Sequence, residues 1–186
     1  MFGQELTAAW TPVHEPTHGG PFFRHLPRRT LAATPPAALE RRPVTPTQIE
    51  LIRTSWAAVE PIADVAATLF YERLFEMDPA VRRLFRKTDM AAQRKNLMQT
   101  LTVVVKGIDR LDQLVPAVQA LGRRHAGYGV RPEHYDTVGA ALLWTLEQGL
   151  GDAFTPQVRD AWIAVYGVLA HTMQAGAAEA NDSAAA

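Results

Sequence analysis

The sequence predicts an all-α protein of six or seven helices. From Thr45 onward, apolar residues recur at three- and four-residue spacing, and no segment alternates at period two. Two cap-plus-proline pairs, Thr45–Pro46 and Thr155–Pro156, mark helix starts near the two ends of that region. Residues 1–44 differ: they carry seven prolines, Gly19 and Gly20, and no sustained periodicity. Such a stretch buries too little surface to offset its ordering entropy, so it is expected to be disordered or loosely docked. Trp10, Phe22 and Phe23 give it groups that could dock. His14, His18 and His25 invite a metal reading, but no cysteine or well-spaced carboxylate accompanies them.

Each helix has its own local reason. Thr45, Pro46 and Gln48 place a hydroxyl at the cap, proline at the first helical position and an amide at the third. Ile49, Ile52, Trp56 and Val59 then form a buried stripe. Pro61 is expected to open a second helix with Ile62, Val65, Leu69, Phe70 and Leu74 as its apolar positions. Asp78 and Pro79 start a short helical turn through Leu84 and Phe85. Asp89 caps a helix running to about Lys106 and ending at Gly107. Asp112 is expected to cap the next, with Pro116 tolerated near its first turn. There Leu114, Val118, Leu121 and His125 fall on one face, an apolar stripe ending in an imidazole. Gly127 and Gly129 stop that helix, and Pro132 starts another that ends near Gly149 and Gly151. Val158, Trp162, Val165, Leu169 and Met173 line the last helix, and the Ala-rich tail from Ala175 is expected to fray. This gives three segments: an extension, residues 1–44; a helical domain, 45–176; and a tail, 177–186.

Composition narrows the function. Nineteen Lys+Arg balance nineteen Asp+Glu, which argues against nucleic acid as the main partner. With no cysteine, disulfides, thiolate catalysis and thiolate ligation are excluded. No apolar run is long enough to span a membrane and the N-terminus lacks a signal-peptide core, so a soluble cytoplasmic protein without a membrane partner is expected.

The run His125, Gly129, Val130, Pro132, Glu133, Tyr135, Val138, Gly139 resembles the haem segment of bacterial globins, in particular the globin domain of flavohaemoglobins and the single-domain bacterial haemoglobins. The resemblance covers about three quarters of the chain. It implies a globin fold, a three-over-three helical sandwich around haem b, with His125 as the iron's axial ligand. Tyr71, in LFYERLF, and Gln93 match residues that face the bound ligand and take part in its chemistry. Leu97 matches a residue packed over the haem, Phe85 an aromatic lying flat against it, and Arg124 a basic position that pairs with a propionate. Tyr135 matches a hydroxyl on the histidine's side. His134 and His171 match nothing and read as ordinary surface or helix residues. The family also places a Glu eleven residues after the position of Tyr166; here that position is Ala177, and the nearest carboxylate is Glu179.

The resemblance implies an oxygen-binding protein, with nitric oxide dioxygenation as the enzymatic reading and oxygen storage, delivery or sensing as the alternative. Oxygen on ferrous iron gains negative charge, and hydrogen bonds to charged groups contribute roughly 1.5–3 kcal/mol each. At about 1.4 kcal/mol per tenfold, one donor slows oxygen release roughly ten- to a hundredfold. No glycine-rich dinucleotide motif is present in these residues, so turnover is expected to draw on a separate reductase.

Overall fold

The computed structural model describes residues 44–185. The extension, with Trp10, Phe22, Phe23, His14, His18 and His25, lies outside the described residues. Among them there are six α-helices and no strand: α1 (Pro46–Val59), α2 (Ala63–Met77), α3 (Met90–Lys106), α4 (Leu111–Gly127), α5 (Pro132–Leu150) and α6 (Pro156–Ala185). Short 3₁₀ turns at Glu60–Ile62, Val81–Phe85, Ile108–Arg110 and Gly151–Ala153 link them. The helices form a three-over-three sandwich, with α1, α3 and α4 in one layer and α2, α5 and α6 in the other. The closest pairings are α4 with α6, α2 with α5 and α1 with α6.

Helix starts follow side-chain chemistry. The Thr45 hydroxyl accepts from the Gln48 N–H at 3.3 Å while the Gln48 side chain accepts from the Thr45 N–H at 2.9 Å, a reciprocal capping box. Asp89 accepts from the N–H groups of Ala91 and Ala92, and Thr155 from that of Val158. Gly151, at φ +52°, closes α5 in the left-handed region that favours glycine.

Three local expectations are corrected. Pro61 sits in a 3₁₀ turn, and α2 begins only at Ala63. Its buried face is Ala66, Ala67, Phe70, Tyr71 and Leu74, whereas Ile62 and Val65 are 39% and 59% exposed. Two small alanines and a tyrosine thus mark the core side, and large apolar residues misled the pattern. Asp112 is already inside α4, because the Ile108–Arg110 turn runs straight into that helix; it makes no cap, and Pro116 lies inside the helix. The Ala-rich tail does not fray at Ala175: α6 continues to Ala185, and Arg123 on α4 holds Glu179 at 3.1 Å.

At one end of the core, Trp56 and Trp162 pack with ring centroids 6.0 Å apart. Their indole N–H groups are satisfied, Trp162 donating to Ser55 at 2.9 Å and Trp56 to Thr102 at 3.3 Å. The α4–α6 crossing is held at backbone distance. A Cβ on Gly122 would lie 1.9 Å from the Met173 carbonyl oxygen, and one on Gly176 would lie 2.3 Å from that of Gln119. Only residues without a side chain fit at either point, and His125 follows Gly122 by one helical turn.

Candidate functional site

Between the layers lies an apolar cavity with about 1220 Å³ of space outside protein atoms, part of it continuous with solvent. α2, the Val81–Phe85 turn and α3 contribute one group of lining residues, among them Tyr71, Phe85, Gln93 and Leu97. α4, α5 and α6 contribute the other, among them Leu121, His125, Tyr135, Tyr166 and Met173. Six of the seven candidates read from the sequence thus line one cavity. Arg124, half-buried beside His125, does not line it.

His125 sits at the end of the stripe Leu114, Val118, Leu121. Its Nδ1–H donates to the Leu121 carbonyl at 2.9 Å, which fixes the neutral tautomer and makes Nε2 the basic nitrogen. Burial pushes the imidazole down to about 4; the Leu121 carbonyl opposes that shift and the Arg124 charge adds to it. At neutral pH the ring is therefore uncharged, the form that can ligate a metal. A backbone carbonyl holding the remote ring nitrogen is also how ligating histidines are commonly oriented. Glu179, the carboxylate nearest the Ala177 position, pairs with Arg123.

The other polar pair is Tyr71 and Gln93, both almost fully buried. Gln93 Nε2 donates to the Tyr71 hydroxyl oxygen at 3.0 Å. Having accepted that bond, Tyr71 keeps its own proton to donate, and it has no acceptor for it among the described residues. Burial holds its phenol well above its ordinary pKa, partly offset by Gln93, so the hydroxyl stays protonated. The Asp89 cap starts α3 four residues before Gln93, and the packing of α2 on α3 brings that amide to Tyr71. Phe85 packs edge-on against Tyr71 at 5.6 Å and against Phe75 at 5.4 Å, which locks the phenol ring.

Tyr135 presents a buried hydroxyl with no hydrogen-bond partner among the described residues. Burial raises its pKa as well. Tyr166 packs over Gly139, where a Cβ would lie 2.6 Å from the ring, and donates to the Tyr135 carbonyl at 2.5 Å. Haem calls for an apolar slot, one neutral nitrogen ligand and a few polar groups in reach. An uncharged imidazole, an unspent phenol proton and an orphaned tyrosine hydroxyl on one apolar lining meet that demand.

Some lining residues were not legible in the sequence. His134 is not a surface residue: it is 5% exposed, lines the cavity, and accepts the Arg131 backbone N–H at 3.1 Å through Nδ1. Its place three residues after the cap position of α5 was the available signal. His171, by contrast, is exposed. Chain-wide charge balance also masked a local excess: residues 81–95 hold six cations against one carboxylate.

Comparison with known proteins agrees with this geometry. The Globin family profile matches residues 68–173. A flavohaemoprotein of Bacillus subtilis is 33% identical over 124 residues, covering 66% of this chain and 31% of the relative. One from Vibrio cholerae is 33% identical over 129 residues, covering 68% and 33% respectively. The chain thus spans about a third of the length of these relatives. A neuroglobin of Tetraodon nigroviridis is 30% identical over 149 residues, covering 73% of this chain and 94% of the relative. Among solved structures, an engineered carbene transferase built on a nitric oxide dioxygenase-like protein of Rhodothermus marinus superposes with a TM-score of 0.70. It shares 26% identity, over 77% of this chain and 99% of that one.

Proposed function

This chain belongs to the globin family, and on that premise we propose that it is a haem b protein that binds oxygen and converts nitric oxide to nitrate. The observation that carries the reading is the pairing of two states on one apolar lining: a neutral His125 and a Tyr71 hydroxyl whose proton is unspent. When bound, haem supplies an iron that takes a diatomic ligand and at which nitric oxide is oxidised. His125 would offer Nε2 to that iron, its ring rotation and tautomer already fixed by the Leu121 carbonyl. Phe85 and Leu97 would pack against the macrocycle, Arg124, beside His125 but off the lining, would pair with a propionate, and Tyr135 would bring its unpartnered hydroxyl to the site.

Tyr71 would donate its O–H toward negative charge on a bound ligand, because Gln93 Nε2 already occupies the phenol oxygen and leaves that proton unspent. The surrounding apolar side chains keep water from competing for it. The overall reaction joins nitric oxide, oxygen and one electron into nitrate, so each turnover requires an electron donor. A nitric oxide dioxygenase-like solved relative and the flavohaemoproteins support the enzymatic form.

The test is rapid mixing of the oxygenated protein with nitric oxide. One nitrate per chain and a ferric product within the mixing time are expected, with repeated turnover once a reductase is supplied. Oxygenated protein that survives excess nitric oxide would leave oxygen storage, delivery or sensing as the function. A second experiment separates the distal roles. Tyr71→Phe keeps the ring and removes the hydroxyl, so oxygen dissociation should accelerate roughly ten- to a hundredfold, while carbon monoxide release, with less charge on the ligand, changes less. Because Gln93 acts through Tyr71, Gln93→Leu should accelerate oxygen release in wild type but add little in the Tyr71→Phe background. Stopped-flow dissociation of both gases from the four proteins reads this directly. Equal acceleration for both gases would mean that the pair acts through packing or access.

A further inference from the structure

The cations of residues 81–95 are Arg82, Arg83, Arg86, Lys87, Arg94 and Lys95. All but Arg94 are exposed, and Arg94 is half-buried. None of the described ion pairs uses any of them. The carboxylates at hand are committed elsewhere: Asp78 and Asp89 accept backbone N–H groups at helix starts, and Glu76 pairs with Arg73 at 2.7 Å. Among the described residues this segment therefore carries a local positive excess, six cations against Asp89 alone, in a chain whose net charge is zero.

That face lies against the cavity. The same segment supplies Leu84, Phe85 and Gln93 to the lining. Arg82 sits over the Phe75 ring at 5.8 Å, Phe75 touches Phe85, and Phe85 touches Tyr71. Arg94 is near enough to Tyr71 for its charge to act on the phenol. A partner on this face would be separated from the cavity by a few ring contacts, and its surface charge would have to be negative.

Resting on the haem reading above, we infer that the Arg82–Lys95 face is the docking surface for an acidic electron-donor protein. One electron leaves the donor's reduced flavin or iron–sulfur centre, which is oxidised by one electron, and the ferric haem iron is reduced to ferrous. Steering by such a face raises association rates by roughly ten- to a thousandfold, and salt cancels it.

The experiment compares the ferric holoprotein with the triple variant Arg83→Glu, Arg86→Glu, Lys87→Glu. Three residues that line nothing in the cavity are changed, so the Soret spectrum should be unchanged. A reduced bacterial flavodoxin serves as the acidic donor and reduced riboflavin, which carries no acidic surface, as the control. At low salt, reversal should slow reduction by flavodoxin tenfold or more, on the order of the steering effect, and leave reduction by riboflavin unchanged. Calorimetric affinity for oxidised flavodoxin should fall in parallel, and high salt should erase both differences. Equal rates for the two proteins with flavodoxin would overturn the inference, as would equal slowing with both donors. So would binding of a short DNA duplex or anionic vesicles at least as tight as that of flavodoxin. Failure of the haem reading itself would appear separately, as a chain that takes up no haem.

Discussion

His125→Ala is expected to strip the protein of haem. Loss of a residue that merely orients a metal ligand typically costs ten- to a hundredfold in affinity, so loss of the ligand itself should exceed about a hundredfold. Helicity should survive, because His125 is half-buried at the C-terminal end of α4 and the core cluster of the sandwich does not include it. Circular dichroism close to wild type, with the Soret band lost or shifted, is the expected pair of readings. The smaller His125→Gly variant leaves room for free imidazole, which should restore haem uptake and the native band. Unchanged haem content in His125→Ala would place the axial ligand elsewhere, and His134, the other imidazole on the lining, would be the residue to test.

Gly122→Val should be the most damaging substitution outside the cavity. Its Cβ would lie 1.9 Å from the Met173 carbonyl oxygen, an atom of the α6 backbone that no rotamer change can move aside. The helices must separate, at a cost of about 3 kcal/mol. For a protein of this size that lowers Tm by roughly 6–12 °C. The same wedge sits next to Leu121, whose carbonyl holds the His125 ring, so haem should dissociate faster as well. Gly167 provides the control. It also lies within α6, but a Cβ there meets nothing within 4 Å. Gly167→Ala should therefore stabilise by about 0.4–1 kcal/mol through the unfolded chain. Thermal melts of the two variants read the contrast; a Gly122→Val protein as stable as wild type would mean that α4 and α6 are not in backbone contact.

How legible these features were depends on their range. Caps are local, so Thr45 with Gln48, Asp89 and Thr155 could be read from three or four residues and reappear as hydrogen bonds. The apolar stripe ending at His125 was legible as periodicity, but its chemistry came from the resemblance, because a lone imidazole on such a face is ambiguous. Tyr71 and Gln93 lie 22 residues apart, and only the packing of α2 on α3 makes them partners. The buried face of α2 was misread because Ala66 and Ala67 carry little hydropathy while exposed Val65 carries much. Gly122 and Gly176 carried no readable signal, because that each meets a backbone oxygen of the other helix depends on a contact across more than fifty residues. The positive face was lost in a chain-wide sum that comes to zero.

Equilibrium addition of haem to the wild-type apoprotein tests most directly whether the cavity between the layers is a haem site closed by one neutral imidazole. Trp56 and Trp162 lie in the same sandwich and report uptake through fluorescence quenching. Saturation at one haem per chain is expected, with a sharp Soret band and, in the ferrous state, an iron–nitrogen stretch that shifts when the histidines carry ¹⁵N. Uptake that never saturates, or a stretch insensitive to the histidine label, would contradict such a site.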